Sequence, residues 1–249
     1  MVKFLILNHG FHHKNKQGLE MVLKSLNWEY KYGSIADIPC HDIIYSASVP
    51  VDTSQYTHKF FIFGPQFSTF PNQKIHMISN THDNCVYIQP SEWVVQLWIS
   101  KGVTHIPVIP YPFPVDTDKF KPLLKAQEAQ ATQEAQAAQE VQAVPVAMIY
   151  YKHRSMDELE YLAAYLSNQN IKCIIFNYSS GYTEADYLCA LQHSKYAIIL
   201  AGHESQGFAI EEAMACDVPL LVWNTRYMSQ EEGQNYDDIP CTSIPYWDD

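Results

Sequence analysis

The chain is short of positive charge. It holds 16 lysines and arginines against 27 aspartates and glutamates, a formal net charge of −11 with histidine counted as neutral. That balance argues against broad binding to nucleic acid or to an anionic membrane surface. It also makes every cation beside a prospective anion site informative. Paired cysteines are missing as well. Cys40, Cys85, Cys173, Cys189, Cys216 and Cys241 are scattered without a C-x-x-C pair, so the sequence points to neither a zinc site nor a disulfide framework. Most lie in apolar runs, as buried free thiols do. No apolar run reaches the roughly 18 residues of a membrane span, and the opening run from Val2 to Leu7 is too short for a signal-peptide core. The expectation is a soluble, cytoplasmic protein. With 47% apolar and 13% aromatic residues, 249 residues suffice for a packed core, in one large domain or two small ones.

What is there centres on His203 to Trp223, HESQGFAIEEAMACDVPLLVW. The apolar run Tyr196 to Ala201 leads in, a polar turn with Ser205 and Gly207 follows, and a helical segment runs to Cys216. A second apolar run, Val218 to Trp223, comes next. Continuous apolar runs flanking a helix are the pattern of a parallel sheet buried on both faces. The turn then lies at the carboxyl end of its strand, where open α/β sheets bind ligands. Backbone N–H groups of Gly207, Phe208 and Ala209 would crown the helix and suit an anion such as a diphosphate. Glu204 stands in the turn and Glu212 in the second turn of the helix.

The pattern Glu204–x7–Glu212, with Gly207 between and Glu212-Ala213-Met214-Ala215 followed by Pro219, resembles the donor-site motif of the retaining GT-B glycosyltransferase family, group 1 or family 4-like. The string ESQGFAIEEA is most similar to short versions encoded by large DNA viruses. The resemblance implies that Glu204 contacts the donor sugar and Glu212 the ribose hydroxyls. It implies that Gly207 and Phe208, with the adjoining Ser205, Gln206 and Ala209, hold the diphosphate. The family usually has Gly where this chain has Asp217; Asp tolerates the left-handed conformation better than most residues.

In chain order, Phe4 to Leu7 reads as a strand ending in His9-Gly10 and a polar loop with His12, His13, Lys14 and Lys16. A helix is expected over Gln17 to Leu26. The resemblance places the first loop, His9 and Gly10, opposite the donor; a tight turn needing one glycine explains the same residues. The histidines lack metal-ligand spacing. Short strands follow at Ile43 to Tyr45, Phe60 to Phe63, and Cys85 to Ile88. A helix opens at Ser91, carries Trp93, Val94, Leu97 and Trp98 on one face, and stops at Gly102. His82-Asp83 precedes a strand and reads as an ordinary loop more readily than as a base. A last strand is expected over Thr104 to Ile109.

Pro107, Pro110, Pro112 and Pro114 then mark a connector. Val115 to Pro122 resembles the linker joining the two halves of the family. Asp116-x-Asp118 also matches a metal-binding D-x-D, since a carboxylate pair can hold a cation that bridges a diphosphate, but its setting favours the linker. Gln127 to Val144 is three near-copies of a hexapeptide, QEAQAT, QEAQAA and QEVQAV. It offers no sustained apolar stripe and reads as a solvent-exposed insertion.

Val146 to Tyr151 restarts as a strand and ends in Lys152-His153-Arg154. The family has a basic pair near here that neutralises the leaving diphosphate, which implies that role for Lys152 and Arg154, although Tyr150 and Tyr151 stand where the family has Gly. A helix with Leu159, Leu162 and Leu166, a strand Ile171 to Phe176, a loop Asn177 to Thr183 and a helix Glu184 to His193 come after. The loop, with Tyr178, borders the nucleotide base in the family. Past Trp223 no crossing helices are visible, so a compact version or a truncated chain is expected.

The resulting expectation is an α/β, GT-B-like fold of two Rossmann-like domains, 1–110 and 146–249, facing a cleft, with residues 111–145 as linker. The implied function is transfer of a sugar from a nucleotide-sugar to a hydroxyl of a glycan, protein or lipid, retaining, with no metal and no cofactor. Two alternatives stay open: a nucleotide-sugar epimerase on the same scaffold, and a non-catalytic nucleotide-sugar-binding module.

Overall fold

The computed structural model describes residues 2–8, 10, 12–47, 51–66, 68–71, 75, 84–123 and 146–246. His9, His82, Asp83 and the repeat of residues 127–144 lie outside the described residues. The chain divides into two compact units, Met1–Pro114 and Val115–Asp249.

The first unit contains β1 (Lys3–Leu7), α1 (His13–Ser25), β2 (Glu29–Gly33), a 3-10 helix over Ile35–Cys40, and β3 (Ile43–Ser46). It continues through β4 (Phe60–Phe63), β5 (Cys85–Gln89), α2 (Glu92–Ser100) and β6 (Val108–Pro110). The strands form one sheet in the order β2-β1-β3-β4-β5-β6, all neighbours parallel. Leu5, Leu7, Ile44, Phe61, Phe63 and Trp98 are among the residues of its core.

Two sequence expectations change here, and one strand is added. α1 starts at His13, so Lys14 and Lys16 belong to its first turns rather than to a loop; no residue from His13 to Lys16 is a helix breaker. The added strand is β2, which carries no apolar run because it edges the sheet with Glu29, Tyr30 and Lys31 exposed. β6 is three residues, not six, because Pro107 has no N–H to offer the ladder.

The second unit contains β7 (Val146–Lys152), α3 (Met156–Asn168), β8 (Lys172–Asn177), a 3-10 turn over Tyr178–Ser180, and α4 (Glu184–His193). Then come β9 (Tyr196–Ala201), α5 (Phe208–Ala215), β10 (Leu220–Val222) and a 3-10 turn over Met228–Gln230. Its sheet runs β10-β9-β7-β8, all parallel. Alternation along β7 splits its side chains between two cores: Met148 and Tyr150 join one, Ala147, Ile149 and Tyr151 the other. β9 divides in the same way, Ala197, Ile199 and Ala201 against Ile198 and Leu200. Both faces are therefore covered, as the apolar runs imply.

Part of the connector is built into this unit. Phe120 is buried in its core, Lys119 pairs with Glu184, and Gln192 Nε2 donates to the Lys121 carbonyl at 2.9 Å. Asp116 Oδ1 accepts from the amides of Asp118 and Lys119 at 3.0 and 3.1 Å. It caps a turn, as a connector aspartate does.

Candidate functional site

In the second sheet the strand order reverses at β7. β8 lies on one side of it and β9 on the other, so the carboxyl ends of β7 and β9 form the switch point of the sheet. Lys152 is the last residue of β7 and stands in register with Ala201, the last of β9. The Gly202 amide donates to the Lys152 carbonyl at 2.7 Å, extending the ladder by one step into the turn. Both ends thus deliver their polar residues to one place.

There Lys152 Nζ donates to Glu204 Oε1 at 2.9 Å, with both side chains mostly buried. Burial alone would push the Lys152 ammonium down, but the Glu204 carboxylate outweighs it and holds its pKa above the usual lysine value. The ammonium also lies 4.8 Å from the ring centroid of Tyr178, a half-exposed residue at the end of β8. Gly207 caps α5 with φ 75° and ψ 51°, a left-handed conformation that an L side chain adopts at a cost. A Cβ there would sit 3.4 Å from Glu204 Cβ. The tight turn therefore sets Glu204 against the start of the helix, where the first-turn amides and the macrodipole favour an anion.

The remaining residues of the turn are also fixed by the helix and its neighbours. Phe208 opens α5 and is half-buried; Ser205 is half-buried ahead of it. Ala209 is buried, and its carbonyl accepts from the fully buried Tyr187 hydroxyl at 2.8 Å, so α4 pins the first turn of α5. Glu212 is buried one turn on, close enough to Tyr182 and Tyr187 to raise the pKa of both, after burial itself. α5 ends in a Schellman arrangement. Asp217 takes φ 56°, its amide donates to the Met214 carbonyl at 2.9 Å, and the Val218 amide donates to the Ala213 carbonyl at 3.1 Å. Asp217 thus ends the helix in the left-handed conformation that glycine usually supplies at this position.

Two expectations are corrected. Arg154 does not join Lys152 and Glu204. Its guanidinium is buried, forked onto Glu158, and donates to Thr225 Oγ1 at 2.8 Å and to the Trp223 carbonyl at 3.4 Å. It ties α3 to the loop after β10. The reason is spacing: His153 takes φ 53°, which turns the chain between the two cations, and Glu158 stands one helical turn beyond Arg154. Gln206, expected to face the diphosphate, donates to Glu211 Oε2 at 2.9 Å instead. Glu211 is not a plain surface residue. Burial is the main cause lifting its carboxyl to about 7, and Tyr246 lies beside it. Gly10, with φ 61°, is exposed between β1 and α1 of the first unit.

The segment beyond Trp223 is not the polar tail that its sequence suggests. Thr225 Oγ1 and Ser243 Oγ, both fully buried, donate to the Ala201 carbonyl at 2.9 and 3.1 Å. The Glu204 amide donates to the Thr242 carbonyl at 3.0 Å. The loop therefore buttresses the end of β9 from below the turn. Glu231, at its centre, accepts from the His203 amide at 2.7 Å and also bonds the His203 ring through Nδ1. Gly202 makes room for it: a Cβ there would lie 2.7 Å from Glu231 Cδ. Isolated serines, threonines and a glutamate carry no periodic signal; only the glycine before His203 hinted at close packing. Among the described residues, no group of three or more His, Cys, Asp or Glu is placed to hold a metal ion. Among them, too, no helix is long and apolar enough to cross a membrane.

No protein-family model matches the chain, and no curated protein sequence matches it. Among solved structures, a glycosyltransferase from Rickettsia africae ESF-5 aligns with it at a TM-score of 0.53. The match covers 89% of this chain and 79% of that one, at 14% sequence identity. The likeness is one of fold, which in this chain is mixed α/β with parallel, Rossmann-like sheets.

Proposed function

We propose that the protein is a glycosyltransferase that moves a sugar from a nucleotide-sugar to an acceptor hydroxyl, a retaining, metal-independent member of the GT-B class. The observation that carries this reading is the juxtaposition at the β7/β9 switch point. A buried lysine–glutamate pair at 2.9 Å adjoins a helix start capped by a left-handed glycine, with Glu212 buried one turn further. The fold shared with a known glycosyltransferase agrees with it.

In this reading the diphosphate lies at the start of α5, with Lys152 as the cation that meets charge developing on the leaving phosphate. Glu204 holds that ammonium in place and faces the sugar. Glu212 accepts from the ribose hydroxyls, with Tyr178 near the base. The electron pair of the breaking glycosidic bond passes to the leaving phosphate oxygen, and the acceptor hydroxyl's proton goes to that same oxygen as the new bond forms. A nucleotide-sugar panel, first by thermal shift and then with acceptors by product analysis, tests it. Transfer to an acceptor supports the reading. Conversion of the donor alone would make the protein an epimerase, and binding without turnover would make it a binding module.

A further inference from the structure

We propose that Tyr182 is a specificity-determining residue of this site, its hydroxyl donating to a hydroxyl oxygen of the nucleotide's ribose. The inference rests on the donor-site reading above and adds to it a residue that tells ribose from deoxyribose. The backbone fixes where the side chain stands. β8 ends at Asn177, whose Oδ1 accepts from the Ser179 amide at 2.9 Å and starts the 3-10 turn over Tyr178–Ser180. Gly181 follows with φ 72°, and a Cβ on it would meet nothing within 4 Å, so the glycine serves the turn and not a packing contact. Thr183 then caps α4, its Oγ1 accepting from the Asp186 amide at 3.1 Å. Tyr182 is therefore held between a turn and a helix cap.

Its ring packs on three aromatic neighbours. It meets Phe176 edge-on at 5.3 Å, Tyr150 edge-on at 6.4 Å and Tyr187 at 5.4 Å. Those neighbours place it at the site. Tyr150 stands on β7 two residues before Lys152, on the same face of the strand. Tyr187 reaches the first turn of α5 through its bond to the Ala209 carbonyl. Tyr150 and Tyr187 are buried, whereas Tyr182 is 38% exposed. Of these three tyrosines it is the one that a ligand can touch.

The hydroxyl carries the chemistry. It is bonded to the Tyr150 hydroxyl, and that bond raises the pKa of Tyr150 and lowers that of Tyr182, so Tyr150 donates and Tyr182 accepts. The Tyr182 O–H is left as a donor. Burial, followed by the charges of Glu212 and Glu204, lifts its pKa to about 12, which keeps the proton in place at neutral pH. The two carboxylates act on it by charge and not through a hydrogen bond. A carboxylate only accepts, so a group lying between Tyr182 and Glu212 must accept from the one and donate to the other. A hydroxyl does both. A ribose hydroxyl there continues one run of donors, from Tyr150 to Tyr182, from Tyr182 to the ribose oxygen, and from the ribose to Glu212. A deoxyribose leaves the Tyr182 donor unpaired, which is how a polar site rejects an analogue lacking one hydroxyl.

The test is calorimetric titration of UDP, GDP and ADP, each with its 2′-deoxy and 3′-deoxy form, on the wild type and on Tyr182→Phe. The variant keeps the ring and its aromatic contacts and removes only the hydroxyl. It is expected to bind the ribonucleotide about fivefold more weakly than wild type does, and to bind the form lacking the contacted hydroxyl within about twofold of wild type. If the Tyr150 hydroxyl, deprived of its acceptor, unfolds the variant, Tyr150→Phe combined with Tyr182→Phe carries the same comparison. An equal loss for all three forms assigns Tyr182 to packing and overturns the inference, as does no loss for any of them. If Glu212→Ala removes the preference for the ribonucleotide while Tyr182→Phe keeps it, the donor-site reading survives and Tyr182 alone is excluded. If wild type binds none of the nucleotides in any form, both fall.

Discussion

Lys152 and Glu204 are 52 residues apart in the chain and 2.9 Å apart in space. The parallel register of β7 and β9 brings them together, because each ends at the same level of the sheet. Removing one partner of such a buried pair leaves an uncompensated charge. Lys152→Met is therefore expected to cost about 3 kcal/mol of stability in urea unfolding at pH 7, whereas Lys152→Met with Glu204→Gln recovers most of it. The sign with pH follows from the raised lysine pKa. The pair's contribution is full below the unfolded value of 10.5 and is lost as pH climbs through the folded value above it. A wild-type advantage that vanished between pH 5 and 9 instead would assign it to another group.

Glu211 behaves oppositely to an ordinary carboxylate. Its folded value is raised by burial to about 7 from 4.5, so between those limits the folded state holds a proton that the unfolded state releases. Its contribution is favourable at pH 5 and is lost as pH rises to 8. Glu211→Gln removes the cost of ionisation and is expected to stabilise the protein at pH 8 by on the order of 1 kcal/mol, with little change at pH 5. Melting curves at the two pH values read this directly.

The apolar pattern made most of this second unit legible. Buried runs gave β7 and β9, the spacing of leucines gave α3, and Asp217 as a helix stop follows from its tolerance of φ 56°. Within the site, Lys152 and Glu204 stand out separately in the sequence, and only the register of β7 and β9 shows that they form one ion pair. What stayed hidden depends on contacts with no period. Arg154 looks like a second phosphate cation until Glu158 and Thr225 are seen to take its donors. Glu231 and Glu232 look alike in sequence, yet Glu231 is buried against His203 and Gly202 while Glu232 is exposed. β2 lies at a sheet edge, where burial leaves no mark on the sequence.

Arg154 and Lys152 should separate experimentally. Arg154→Lys keeps the charge but loses the fork onto Glu158 and the reach to Thr225. It is expected to destabilise the protein by about 2 kcal/mol and to leave nucleoside diphosphate affinity within about threefold of wild type. A tenfold loss of affinity without a drop in melting temperature would return Arg154 to the phosphate.

Asp116 caps a turn with its carboxylate, so the D-x-D pair is expected to serve the connector. Asp116→Ala should cost about 1 kcal/mol of stability, as loss of a side-chain cap does. Transfer should be unaffected by chelator. Activity lost in chelator and restored by manganese would make the pair a metal site after all.

The three glutamates of the turn and helix are expected to divide by role. Successive helix residues point about 100° apart, so Glu211 and Glu212 face different surroundings. Glu211 turns to Gln206 and Tyr246, and Glu212 to the side of Tyr182 and Tyr187. If Glu212 accepts from the ribose hydroxyls, Glu212→Ala removes charge-assisted hydrogen bonds of about 1.5–3 kcal/mol and weakens a nucleoside diphosphate by roughly 10- to 150-fold. Glu211→Gln, which keeps the contact with Gln206, should change that affinity by less than about threefold. If Glu204 faces the transferred sugar, Glu204→Ala is expected to act chiefly on turnover, while its loss also removes the partner of the Lys152 ammonium. Titration with a nucleoside diphosphate isolates the helix pair, since that ligand has no sugar beyond its phosphates. Should Glu211→Gln be the damaging change, the ribose lies on the Gln206 side of α5, and the correspondence of Glu204–x7–Glu212 with a transferase donor motif fails.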